Sequence, residues 1–165
     1  MSSVQSQPGL DDPARAALGR FVMRVGPWVA QLQRQVLSRL DPPLGFSQYS
    51  VLARLGRGTT SMAQLRSRSI VSFSTLSETT TGLVRLGLVD RVASTHDRRS
   101  VDLSLTAQGR EVLAHAEAAM RELEDALLDG VRLPTEDEVT DLLTPLTERA
   151  RHVLAEREEI SDRPG

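Results

Sequence analysis

The chain of 165 residues contains no cysteine, which excludes disulfide staples, thiolate metal sites and thiol redox chemistry together. Lysine is missing as well, so all 20 cationic side chains are arginine. Aromatics are scarce, with three Phe, one Trp and one Tyr, and any core must therefore be aliphatic. No apolar run approaches the roughly 20 residues needed to span a bilayer, and the opening MSSVQSQPGLDDP lacks the basic and apolar regions of a secretory signal. A cytoplasmic protein with no membrane partner is expected. No P-loop, glycine-rich nucleotide fingerprint or Ser-His-Asp ordering is present. His96, His115 and His152 are scattered without ligand spacing and read as surface histidines rather than a zinc site. Neither enzymatic activity, a catalytic residue, a metal nor a cofactor is expected.

What the chain does have is a strong charge asymmetry under a net charge of only −2. Residues 1–53 carry five Arg against three acids, residues 54–110 nine against four, and residues 111–165 six against fifteen. Phosphate neutralisation dominates affinity for nucleic acid, so a basic middle segment flanked by acidic ones would face a polyanion and turn its acids away. Charges sorting onto solvated faces would give the same count, and the motifs have to decide.

The length suits a single domain. Residues 1–12 read as a disordered tail, 161–165 as a short second tail, and the domain as 13–160. A first helix is expected over 13–40, with Leu18, Phe21, Val22, Val25, Val29, Leu32, Val36 and Leu40 at helical spacing; Gly26-Pro27 should kink it, and Asp41-Pro42-Pro43 ends it. A second begins after Ser47, holding Tyr49, Val51, Leu52 and Leu55 before Gly56 and Gly58. A short third, over 61–68, gives Met62 and Leu65 to the core and Arg66 and Arg68 to the outside. Ser72 is a natural N-cap for a fourth, in which Phe73, Leu76, Leu83 and Val84 share a face while Ser74, Thr75, Ser77 and Glu78 stay near the exposed first turns. Gly87 stops it.

Strand-like residues follow, from Leu88 to Ala93 on one side and Val101, Leu103 and Leu105 alternating with Asp102 and Ser104 on the other. The tip between them, His96-Asp97-Arg98-Arg99-Ser100, offers two guanidiniums and almost nothing apolar. Alone, it could be a solvated turn in which Asp97 pairs with a neighbouring Arg. Placed directly after a capped helix, it has the layout of a winged helix-turn-helix, whose second helix enters the major groove while the wing reaches the flanking backbone or minor groove.

Two long helices complete the chain. Thr106 can cap one running to about Leu128, with Val112, Leu113, Ala116, Ala119, Met120, Leu123 and Leu127 on its stripe. Thr135 and Glu138 form a capping box for the last, whose Val139, Leu142, Leu143, Leu146, Ala150, Val153 and Leu154 recur at i, i+3, i+4 and i+7; Pro145 lies inside it. These helices carry more apolar surface than the small core can cover. Packing against a second copy is the economical solution; a monomer with its helices folded back is the alternative.

The order Gln48-Tyr49-Ser50-Val51-Leu52, then Val71 to Leu76, then Leu83-Val84-Arg85-Leu86-Gly87-Leu88-Val89, then the D-x-R-x-x-x-x-x-L-T-x-x-G pattern filled by Asp97, Arg99, Leu105, Thr106 and Gly109, resembles the MarR family of bacterial transcriptional regulators. The fold class that follows is mainly α with a small β-wing: a winged helix-turn-helix core over 46–105, flanked by dimerisation helices over 13–40 and 106–160. The resemblance implies a homodimeric, sequence-specific regulator of double-stranded DNA, a ligand-responsive repressor on a pseudo-palindromic operator. It implies Arg99 as the wing arginine that reaches the minor groove, oriented by Asp97, with Arg98 beside it. Ser72, Ser74, Thr75, Ser77 and Glu78 would read bases or phosphates, and Arg66 and Arg68 neutralise phosphates. A small-molecule effector would sit in the crevice between the dimer helices and the DNA-binding lobe. Trp28 and Tyr49 are read first as core or interface residues, and are the candidates for lining such a pocket. The absence of cysteine excludes the branch of the family that senses peroxides through a reactive thiol. Glu78 stands where a basic residue is common, Thr79 and Thr80 where apolar ones are, and Gly82 weakens the helix by roughly 1 kcal/mol relative to alanine. They motivate the alternative of a degenerate winged-helix dimer that senses a ligand or binds a protein without a specific operator.

Overall fold

The computed structural model describes residues 13–58, 60–67, 72–93 and 101–161. Six helices and three strands are assigned among them: α1 (Pro13–Ser38), α2 (Phe46–Leu55), β1 (Thr60–Ser61), α3 (Met62–Ser67), α4 (Phe73–Arg85), β2 (Val89–Ala93), β3 (Val101–Leu105), α5 (Ala107–Leu128) and α6 (Glu136–Ser161). The mainly helical winged helix-turn-helix architecture expected from the sequence is the one observed. The expected N-terminal tail and residues 162–165 lie outside the described residues.

The strands form one antiparallel sheet in the order β1-β3-β2. Val89 pairs with Leu105 and Ala93 with Val101 along the hairpin, and Thr60 pairs with Leu103 on the other edge. Two residues of β1 are too few to show a period of two, and sequence periodicity passes over them. Val89, Leu103 and Leu105 turn inward and pack with Val51, Leu52 and Leu55 of α2, Leu65 of α3, Leu76 and Leu83 of α4, and Val112, Leu113, Ala116 and Met120 of α5. Leu37 and Leu44 close the core from the end of α1 and the loop after it. As the composition requires, this core is aliphatic.

The L-T-x-x-G segment is the knot that ties these layers together. Gly87 takes a φ of +69° at the end of α4, a left-handed conformation that glycine adopts without a Cβ penalty. The chain can then turn so that the Leu88 N–H donates to the Leu83 carbonyl (3.0 Å). The Thr106 hydroxyl donates to the Gly87 carbonyl (2.7 Å) and accepts from the Gly109 N–H (2.9 Å), so one side chain both caps α5 and holds the end of α4. The Thr106 N–H donates to the Leu88 carbonyl (3.1 Å). Gly109 is buried against that same strand entry, and a Cβ there would stand 2.0 Å from the Leu88 oxygen. Only glycine lets α5 come so close.

Helix boundaries follow their local chemistry. α2 starts at Phe46, two residues before the sequence suggests, because the Gln48 side chain turns back to accept from the Gly45 N–H (2.7 Å). α1 is not interrupted at Gly26-Pro27. Pro27 withholds one backbone bond from the Met23 carbonyl, and on this exposed stretch water can take its place. The capping box that opens α6 is closed: Glu138 Oε2 accepts from the Thr135 N–H and hydroxyl, both at 2.9 Å, and Thr135 Oγ1 accepts from the Glu138 N–H (3.3 Å).

Burial divides the helices sharply. Of the expected α1 stripe, Phe21 is 61% exposed and Trp28, on the same helix, 75%, whereas Leu37 near its end is fully buried. None of residues 136–156 in α6 is buried; Val139, Leu146 and Val153 are half-covered and Leu142, Leu143 and Leu154 exposed. Burial along α5 runs from Gly109 to Met120 and is lost by Leu127.

Candidate nucleic-acid interface

Ser72 begins the interface by capping α4: its Oγ accepts from the Thr75 N–H (3.3 Å) and lies 2.9 Å from both Ser74 Oγ and Thr75 Oγ1. Three of the hydroxyls expected to face DNA therefore form one cluster at a helix N-terminus, where backbone N–H groups and the helix dipole favour an anion. Ser74, Thr75 and Glu78 are exposed and Ser77 half-buried. Opposite them Leu76, Thr80 and Leu83 are buried in the core. α4 is thus clamped along one face while its first turns stand clear.

Two residues of α4 differ from the sequence expectation. Thr80 occupies an apolar slot without an unsatisfied group: it is buried, and its hydroxyl donates to the Leu76 carbonyl one turn back (2.8 Å). That back-bonding is how a threonine enters a helix interior, so the polar run does not break the core face. Phe73, placed by the helical period beside Leu76, Leu83 and Val84, is 51% exposed. At the first position of α4 it overhangs the end of the core, and the guanidinium of Arg66 lies over its ring, 5.3 Å from the centroid. Arg66 therefore bridges α3 and α4, a contact invisible in sequence because it joins two separate helices. A recess of about 230 Å³ beside the ring is lined by Met62, Phe73, Ser77, Thr80, Arg91 and Leu103.

β2 and β3 remain paired up to Ala93 and Val101, and residues 94–100 join them. That tip, with His96, Asp97, Arg98 and Arg99, lies outside the described residues, as does Arg68. Among the described residues of the basic segment, Arg57, Arg66, Arg85, Arg91 and Arg110 are exposed. Arg54 is half-buried, its Nη1 donating to the Leu65 carbonyl in α3 (3.0 Å). The pairing suits a cation beside the carbonyls of a short helix and fixes α3 against α2.

Trp28 stands 75% exposed on α1, and Tyr49 is half-buried on α2. Tyr49 lines a polar recess of about 830 Å³ with Ser50, Ala53, Arg54, Arg57, Thr60, Gln64, Leu65 and Arg151, and Trp28 is not part of that lining. Burial raises the Tyr49 phenol above its ordinary pKa of 10, Glu117 and Glu124 push it further, and Arg121 opposes them. Its hydroxyl is therefore a neutral donor and acceptor throughout the physiological range. Among the described residues no group of three or more His, Cys, Asp or Glu is placed to hold a metal ion, and no helix is long and apolar enough to cross a membrane.

The sequence profile of the MarR family matches residues 43–100, the stretch from the loop before α2 through the hairpin tip. No curated protein sequence matches the chain. Among solved structures, the transcriptional regulator BldR from Sulfolobus solfataricus superimposes with a TM-score of 0.71 at 24% identity, covering 82% of this chain and 96% of that one. A probable transcriptional regulator from Pseudomonas aeruginosa gives 0.65 at 27% identity, covering 84% and 99%. A mutant MarR from E. coli complexed with operator DNA gives 0.64 at 25% identity, covering 80% and 92%.

Proposed function

We propose that the chain is a winged-helix transcriptional regulator of the MarR type, a sequence-specific binder of double-stranded DNA that acts as a ligand-responsive repressor. The observation that carries the reading is α4, whose buried Leu76, Thr80 and Leu83 fix it to the core while its capped first turns and their hydroxyls stay free. A recognition helix needs that combination, because its N-terminal residues reach base edges only if the rest of the helix is held rigidly. The structural likeness to a MarR in complex with operator DNA supports the same reading.

In this reading Ser72, Ser74, Thr75, Ser77 and Glu78 lie against the major groove, Arg66 and Arg68 meet phosphates, and the tip 94–100 carries Arg99 to the minor groove with Asp97 orienting it and Arg98 on the backbone. Guanidiniums suit both tasks, since their planar fork pairs with phosphate oxygens and fits a narrow groove. The exposed apolar side chains of α1 and α6, among them Phe21, Trp28, Leu142 and Leu143, are the surface two copies share. A two-fold dimer would set its recognition helices about 34 Å apart, one helical turn, and read a pseudo-palindrome. The arginine-lined recess at Tyr49 is the place for an effector, since it adjoins both α2 and α3 and Arg54 ties the two.

Salt-dependent binding to the DNA upstream of the protein's own gene tests the reading. Affinity falls linearly on a log-log plot against salt and exceeds that for random duplex; an affinity insensitive to salt, or equal for both duplexes, favours the degenerate module instead. Arg99→Ala weakens operator binding by more than about tenfold and leaves the mass of the dimer unchanged. An unchanged gel shift removes Arg99 from the interface.

A further inference from the structure

We propose that Phe73 determines sequence specificity by meeting the 5-methyl group of a thymine, with Arg66 as the residue that positions its ring. The proposal rests on the DNA-binding reading above and assigns to that surface a residue outside its polar cluster. Phe73 is one of only three phenylalanines in the chain, and burying such a ring is among the larger single gains available to a small aliphatic core. It is half exposed instead. The ring is nonetheless held: the Arg66 guanidinium stacks 5.3 Å from its centroid, a cation–π contact that fixes the ring against α3.

Its place in the element narrows the role. Phe73 is the first residue of α4, directly after the Ser72 cap, with Ser74 and Thr75 next to it. N-terminal residues of a recognition helix are those that reach base edges, and here one apolar group stands among hydroxyls. A phenyl ring has no hydrogen bond to give a phosphate, a deoxyribose oxygen or a purine edge. The apolar feature a base presents in the major groove is the thymine methyl. Because Arg66 stays charged at every accessible pH and shares the ring's face, a phosphate bound by that guanidinium would set the distance from backbone to ring, and with it which thymine is read.

The experiment starts from the preferred site of the full chain, recovered by selection from random duplex. Each thymine is then replaced singly by deoxyuridine, which deletes the methyl and keeps base pairing and groove hydrogen-bonding groups. The wild-type protein loses about three- to tenfold in affinity at one thymine in each half-site. Phe73→Ala binds thymine and deoxyuridine there equally, Phe73→Leu keeps part of the difference, and Arg66→Gln reduces it while circular dichroism stays unchanged. A wild-type protein indifferent to every thymine methyl, or a Phe73→Ala variant that keeps the full difference, overturns the proposal while the selected site still establishes specific binding. Failure to recover any preferred site overturns the DNA-binding reading and this contact with it.

Discussion

At the residue scale, the chain shows how a motif position acquires its meaning from what lies across from it. Gly109 sits in a helix, where glycine costs stability relative to alanine, and the reason for it is the Leu88 carbonyl 2.0 Å from where a Cβ would be. Gly109→Ala therefore forces α5 off the strand entry and lowers unfolding free energy by at least about 2 kcal/mol, measured by urea denaturation. Thr106→Ala, which removes a cap and a bond to Gly87, costs about 1–2 kcal/mol. A Gly109→Ala protein as stable as the wild type would show that the approach is not tight. Thr80 carries a related lesson: a threonine reads as polar in sequence, yet its hydroxyl finds the Leu76 carbonyl and its methyl fills the core.

At the scale of elements, caps were legible because they depend on residues three apart. Ser72, Thr106 and Thr135 each accept from the N–H that the sequence pattern assigns to them. The Thr135 box also makes a pH prediction. Hydrogen bonds from the Thr135 backbone N–H and, second to it, the Thr135 hydroxyl favour the charged form and hold the Glu138 carboxyl below the ordinary 4.5. A depressed folded pKa means that the contribution to α6 is complete above the unfolded value, near 4.5, and fades as pH falls through the lowered folded one. In an NMR titration the Glu138 side-chain carbonyl carbon has a midpoint below 4.5, and Thr135→Ala, which keeps the backbone N–H and removes only the hydroxyl, moves it part of the way back; a wild-type midpoint at or above 4.5 means the box is open in solution. What local patterns missed were contacts that cross elements: the Arg66 stack on Phe73, the Arg54 bond to Leu65, and β1, which exists because β3 offers it an edge.

For the whole molecule, the apolar surface of α1 and α6 is what one copy leaves uncovered. Phe21, Trp28, Leu142 and Leu143 are exposed together on these helices, a set of large hydrophobics of the kind that marks an interaction surface, and a second copy is the partner proposed for it. Light scattering on the wild-type protein gives twice the 18.1 kDa chain mass, and Leu142→Asp shifts it toward a single chain with the winged-helix lobe still folded, since α6 buries none of its described side chains. A wild-type mass of one chain would mean that the helices fold back instead.

The sequence by itself determined the order of the helices, the caps of α4, α5 and α6, the hairpin and the winged-helix layout, because each rests on spacing within a few residues: 3.6 for a helix, two for a strand, three for a cap. It also placed Leu76 and Leu83 inward, and Ser74, Thr75 and Glu78 outward. Which side of the core's edge a residue at a helix end falls on was decided only in three dimensions. Phe73 and Leu76 share a stripe, but the core stops between them, leaving one ring out beside an arginine and the other side chain fully covered. Periodicity gives a direction around a helix axis; how far along that axis neighbours extend is a property of the packed molecule.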